Sequence, residues 1–117
     1  MSQITTPQTP QNLIVNILGE KIYLQNLTDK IIEIVQGMGA SPETYGNNLL
    51  WLIECTNEVS VVKTLQELNR IGFLFTGGPA GYPAADMFVF LLERNSLRAN
   101  FKEIRWHGPG DWYIIER

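Results

Sequence analysis

The chain has 117 residues, 44% of them apolar and 18% charged, a composition that builds one hydrophobic core and excludes a disordered solvating chain. A second domain has little room at this length. Nine Lys and Arg against twelve Asp and Glu give a net charge of −3, which argues against a protein held on nucleic acid by phosphate contacts. The basic residues are scattered, and where Arg94, Arg98, Lys102 and Arg105 come close in sequence, Glu93 and Glu103 fall among them, as on a solvated face.

The opening MSQITTPQTPQ offers almost nothing to bury and is expected to be a mobile arm over residues 1–11, with a single domain over 12–117. It has neither the basic start nor the apolar middle of a signal peptide. No apolar run approaches the ~20 residues that cross a bilayer, so a cytoplasmic protein without membrane contact is expected. From Leu13 a β-rich run reaches Leu18, and after Gly19-Glu20 a second runs from Lys21 to Leu24. The Gly-X pair predicts a tight hairpin, with glycine supplying positive φ at the first turn position.

Asn26 is placed to cap a helix whose apolar positions Leu27, Ile31, Ile34, Val35 and Met38 recur at spacings of three and four, ended by Gly37 and Gly39. Ser41-Pro42-Glu43 has the cap, first-turn proline and acid of another helix start. The run Leu49 to Cys55 fits either a helix or a buried strand, and its cap-like Asn48 favours helix. Val61, Leu65, Leu68 and Ile71 predict a helix opened by Thr56 or Asn57 and stopped by Gly72.

Phe73 to Phe75 is a short strand, followed by the loop Gly77-Gly78-Pro79-Ala80-Gly81-Tyr82-Pro83. Pro83, with Ala84, Met87, Phe88 and Leu91 on one face, predicts a helix to about Arg94, although Phe88 to Leu92 also fits a buried strand. Phe101 to Trp106 and Trp112 to Glu116 alternate around Gly108-Pro109-Gly110, a type II turn in pattern. The expected fold is α+β: a small antiparallel sheet with N- and C-terminal hairpins and three to four helices packed on one face.

Catalytic chemistry has few carriers. Cys55, the one cysteine, sits in an apolar run where a buried thiol is inert, and His107 is the one imidazole. One Cys and one His do not make a structural zinc site, so no metal and no cofactor are expected. Glu54, Glu58, Asp86 and Asp111 lie nearest apolar or glycine-rich segments, but nothing in their spacing separates them from helix caps and surface charges. The glycine loop matches no phosphate fingerprint and its prolines remove donors. As a ligand loop it would use Gly77, Gly78, Gly81 and Tyr82.

The segment Trp106-His107-Gly108-Pro109-Gly110-Asp111-Trp112-Tyr113 crowds three large rings around one turn. Tryptophan and tyrosine suit a contact surface, and packing onto the core is the competing role.

Gly-Glu-Lys-Ile after a strand, then a helix, then Pro42-Glu43-Thr44-Tyr45-Gly46-Asn47-Asn48-Leu49 leading into an apolar run, resembles the barstar-type ribonuclease inhibitors over residues 19–49. The resemblance implies that the Tyr-Gly-x-Asn-Leu stretch opens a helix whose early carboxylates plug a nuclease active site. Here Leu50 stands where an acid is expected, while Glu54 is suitably acidic. The later part, with its Gly-Pro loop and final hairpin, does not resemble that family.

These readings favour a non-catalytic regulatory or protein–protein interaction module. Its partner contacts are assigned to Trp106, His107, Asp111, Trp112, Tyr113 and Glu54, and a barstar-like inhibitor is its sharpest version. The alternative is a small enzyme or ligand-binding protein using the Gly77–Pro83 loop with His107. A protein partner is expected in the first case, and self-association is compatible with either.

Overall fold

The computed structural model describes residues 10–77, 84–108 and 110–117. Strands β1 (Ile14–Leu18) and β2 (Lys21–Gln25) form the predicted first hairpin, and Gly19 takes φ 66° in its turn. Helix α1 (Asp29–Gly37) is capped by Thr28, whose hydroxyl accepts the Ile31 N–H, and not by Asn26. Asn26 has a different task. It stands at φ 64°, a conformation asparagine tolerates better than most residues, and its amide donates to the carbonyls of Pro10 at 2.7 Å and Asn12 at 2.9 Å. The last part of the expected arm is therefore held against the domain, with Pro10 buried; residues 1–9 lie outside the described residues.

Two expected helices are strands. β3 (Ser41–Tyr45) replaces the helix start at Ser-Pro-Glu, and β4 (Asn48–Glu54) replaces the helix favoured for Leu49 to Cys55. They form a hairpin about Gly46, at φ 61°. Proline is tolerated in β3 because that strand is a sheet edge, where a missing N–H costs no ladder bond on the outer side. The near-continuous apolar character of β4 reflects burial on both faces, with Trp51, Leu52 and Ile53 all buried.

Helix α2 (Glu58–Ile71) follows the sequence closely. The Asn57 side chain accepts the Ser60 N–H at 2.9 Å, the Ser60 hydroxyl takes the Asn57 N–H in return, and Gly72 ends the helix at φ 117°. β5 (Leu74–Thr76), α3 (Ala84–Arg94), β6 (Lys102–Gly108) and β7 (Asp111–Glu116) complete the chain, so residues 84–94 are helix and the last two strands are the predicted second hairpin. Gly110 has φ 74° in its turn.

The seven strands form one sheet in the order β3-β4-β2-β1-β5-β6-β7. It is mixed where an antiparallel sheet was expected: β5 runs parallel to both β1 and β6. The reason is the helix on each side of β5, since α2 and α3 carry the chain back across the sheet before it re-enters in the same direction. Three helices occur among the described residues, and none is long and apolar enough to cross a membrane.

Strand alternation divides the apolar side chains between two faces. Val15, Ile17, Ile22, Leu24, Trp51, Ile53 and Phe75 pack beneath Val35 of α1, Val61, Val62, Leu65 and Leu68 of α2, and Ala85, Phe88, Leu91 and Leu92 of α3. At its centre Phe75, Phe88 and Phe101 form a ring cluster with centroids 4.5 to 5.1 Å apart; such pairs add ~0.5–1.5 kcal/mol each beyond area burial. The opposite face has only a small cluster, Ile14, Leu74 and Ile104 with Trp112 against it, and no described helix residue belongs to it.

Candidate functional site

The helix-free face carries Ser41, Glu43 and Tyr45 of β3, Leu50, Leu52 and Glu54 of β4, Lys21, Tyr23 and Gln25 of β2, and Ile14, Asn16 and Leu18 of β1, by register and alternation. Beyond β5 it continues through Ile104 and Trp106 of β6 and Trp112 and Ile114 of β7. Several of its apolar residues face solvent: Leu18 is 55% exposed, Tyr45 50%, Ile114 42% and Trp106 40%. Tyr23 and Tyr45 meet edge to face at 6.0 Å, with their hydroxyls 3.4 Å apart. That hydrogen bond holds the Tyr45 phenol above its ordinary titration range.

A sheet of seven strands accumulates enough twist to raise two diagonally opposite corners toward one face. The β3–β4 turn and the β6–β7 turn stand at two diagonally opposite corners of this sheet. Both line a single hollow of about 530 Å³ on the helix-free side. Ile14 and Leu50 supply apolar walls, Trp106 stands at one corner, and Asn26, Asn47 and Asn48 supply amide groups at the other. The hollow therefore offers apolar contact edged by neutral hydrogen-bonding groups, with no charged residue in its lining.

The partner-contact residues expected from sequence do not lie on one face. Trp106 and Trp112 stand opposite each other across the hairpin, Trp106 exposed at the hollow and Trp112 half-buried against Ile14, Leu74 and Ile104. His107 and Tyr113 stack at 4.6 Å, and Tyr113 shares the other face with Arg105, its register partner. Asp111 is exposed at the start of β7. Glu54 lies at the far end of β4 opposite Lys21, away from the hairpin.

Among the candidate carboxylates, Glu58 pairs with Arg94 at 3.3 Å and Asp86 with Arg117 at 3.2 Å. Cys55 is half-buried, less covered than expected, because it follows the last residue of β4; its Sγ lies 3.9 Å from the Thr64 hydroxyl. Gly77 is held in place by its N–H, which donates to the Ile104 carbonyl at 3.0 Å. Gly78, Gly81 and Tyr82 of the expected ligand loop lie outside the described residues. Neither Gly77 nor His107 lines the hollows of about 580, 530 and 800 Å³ on the described surface. Among the described residues, no three His, Cys, Asp or Glu side chains are grouped to hold a metal ion.

Sequence reasoning missed a buried ionic cluster. Glu103 is fully buried on the helix side and accepts from Arg117 Nη1 at 2.6 Å and from Arg105 Nε. The buried carboxylate raises the pKa of both guanidinium groups. By sequence Glu103 is one charge of a solvated face; its register against Phe75, in the covered part of the sheet, is a non-local fact that alternation does not reveal. The lining residues Asn26, Asn47 and Asn48 also went unsuspected, since polar residues beside glycine look like ordinary turns.

The helix expected from the resemblance to barstar-type inhibitors is absent: Tyr45 to Leu49 spans a hairpin, and the apolar run behind it is β4. No known protein family, curated protein or solved structure matches the chain.

Proposed function

We propose that this protein is a non-catalytic binding module that engages a protein partner with the helix-free face of its sheet. The observation that carries the reading is the hollow between the two hairpin turns, walled by Ile14, Leu50 and Trp106 and edged by Asn26, Asn47 and Asn48. An apolar wall set among neutral amides suits a protein segment, whose apolar side chain takes the wall while its backbone groups meet the amides. Trp106 is the expected anchor: rigid, large and exposed before binding. Trp112 supports it from the half-buried side.

Charge favours a protein over a phosphate-bearing partner. The face carries Glu43, Glu54 and Glu116 against Lys21 and Lys102, and a groove that tracks nucleic acid needs a positive excess.

The test compares partner recovery from native lysate by the full chain and by its Trp106→Ala and Leu50→Asp variants. One protein recovered by the parent and lost with both variants, each still folded by circular dichroism, supports the reading. Equal recovery by all three places the partner elsewhere.

A further inference from the structure

The two edges of the sheet are built differently. β3, at one edge, carries Pro42 and Glu43, a proline and a charge that discourage pairing with another strand. β7, at the other, reads Asp-Trp-Tyr-Ile-Ile-Glu and contains neither lysine nor proline. An edge of that composition is a template for a further strand.

The hydrogen bonding of β7 to β6 shows which of its backbone groups are committed. Phe101 and Arg117 exchange both backbone bonds, at 2.9 and 2.8 Å. In an antiparallel pair such residues alternate with ones whose N–H and C=O point away. Arg117, Ile115 and Tyr113 are thus bonded toward β6, whereas Glu116, Ile114 and Trp112 direct their N–H and C=O to the open edge, where no described residue meets them.

We propose that β7 pairs antiparallel with β7 of a second copy of this chain about a two-fold axis at Ile114, joining two sheets into one. The outward-facing residues 112, 114 and 116 are symmetric about Ile114, so the strand complements itself. Ile114 meets Ile114 of the second copy and Trp112 meets Glu116, and each of these pairs exchanges two backbone hydrogen bonds.

Charge is compatible with the same register. Asp111 comes opposite Arg117 of the second copy, and the reverse, so no like charges meet at either end of the contact, although each Arg117 guanidinium already holds Glu103 and Asp86 of its own chain. Moving the axis to Glu116 would set two like carboxylates opposite each other, and moving it to Trp112 would leave Glu116 unpaired. The apolar exposure of Ile114, 42% in one chain, falls at the centre of the joined strands. The contact is separate from the hollow's partner and stands or falls without it.

Light scattering during size exclusion, with the full chain at micromolar concentration, is expected to give twice the mass of one chain. Hydrogen exchange is expected to be slow at the amides of Trp112, Ile114 and Glu116, which a lone chain leaves to solvent, as well as at Tyr113, Ile115 and Arg117. Ile114→Lys, which opposes two ammonium groups across the axis, should raise the dimer dissociation constant more than ~10-fold and release those three amides alone. Ile114→Pro, which removes an outward N–H, should act likewise; if it fails to fold, the lysine variant decides. A monomeric parent chain overturns the proposal, as does a dimer that survives in every folded variant or one whose Trp112, Ile114 and Glu116 amides exchange freely.

Discussion

Gly77 closes over the carboxylate of Glu103 so tightly that a methyl group at residue 77 would overlap its Oε2 and Cδ atoms. A flexible neighbour would move aside, but Glu103 is buried and clamped by Arg105 and Arg117. Gly77→Ala is therefore expected to destabilise the fold by ~1–3 kcal/mol, the range of overpacked cores. Chemical denaturation of the variant and the parent measures it; equal stabilities would mean that the cluster yields.

The cluster makes a second, comparative prediction. Arg117 bonds a fully buried carboxylate, whereas Arg70 bonds Glu67 on an exposed helix surface with its own side chain 77% exposed. Removing one partner of a buried pair leaves charge without compensation, and removing an exposed one costs little. Arg117→Ala should lose ~1–3 kcal/mol and Arg70→Ala less than ~0.5. The partial exposure of Arg117 keeps the first figure below that of a fully enclosed pair. Urea unfolding of both variants gives the comparison.

At the start of α2 the side chains of Asn57 and Ser60 each satisfy the other's backbone N–H. Asn57→Ala should cost ~1 kcal/mol in thermal or urea unfolding, while Asn57→Asp should retain most of the stability because its carboxylate still accepts the Ser60 N–H.

The two tryptophans of the last hairpin should separate in their effects. Trp112 packs on Ile14, Leu74 and Ile104, so Trp112→Ala is expected to cost ~2–4 kcal/mol, near the lower end for large-to-small core changes because the ring is only half-buried. Trp106→Ala, at the more exposed of the two rings, should cost less, within ~1 kcal/mol. Equal losses would give Trp106 a structural role and weaken its place as an anchor.

Local chemistry was legible in the sequence where it acts over a few residues. The Gly19 turn, the Asn57 cap, the Gly72 stop and the strands flanking Gly110 are set by backbone conformations and short-range hydrogen bonds that particular residue types favour. The β3–β4 hairpin was misread for a physical reason. Ser-Pro-Glu serves a helix start and an edge strand equally well, and Trp51 to Ile53 bury side chains on both faces of a strand inside the sheet, which erases the alternation that identifies strands. The parallel partners of β5 were invisible because two helices separate them from it in sequence.

The same distinction governs the site. The aromatic crowding at Trp106 and Trp112 could be read directly, but not the separation of these two rings from the His107–Tyr113 stack on the opposite face. Nor could the hollow be read, because it joins turns near residues 47 and 110 that only the twist of the whole sheet brings together.

Hydrogen exchange on the parent chain with and without its recovered partner decides whether the helix-free face receives that partner. New protection is expected at Ile14, Gln25 to Asn26, Asn47 to Leu50 and Trp106, with the exposed surfaces of α1, α2 and α3 unchanged. Protection confined to the helices, with the hollow exchanging as in the free chain, would contradict it.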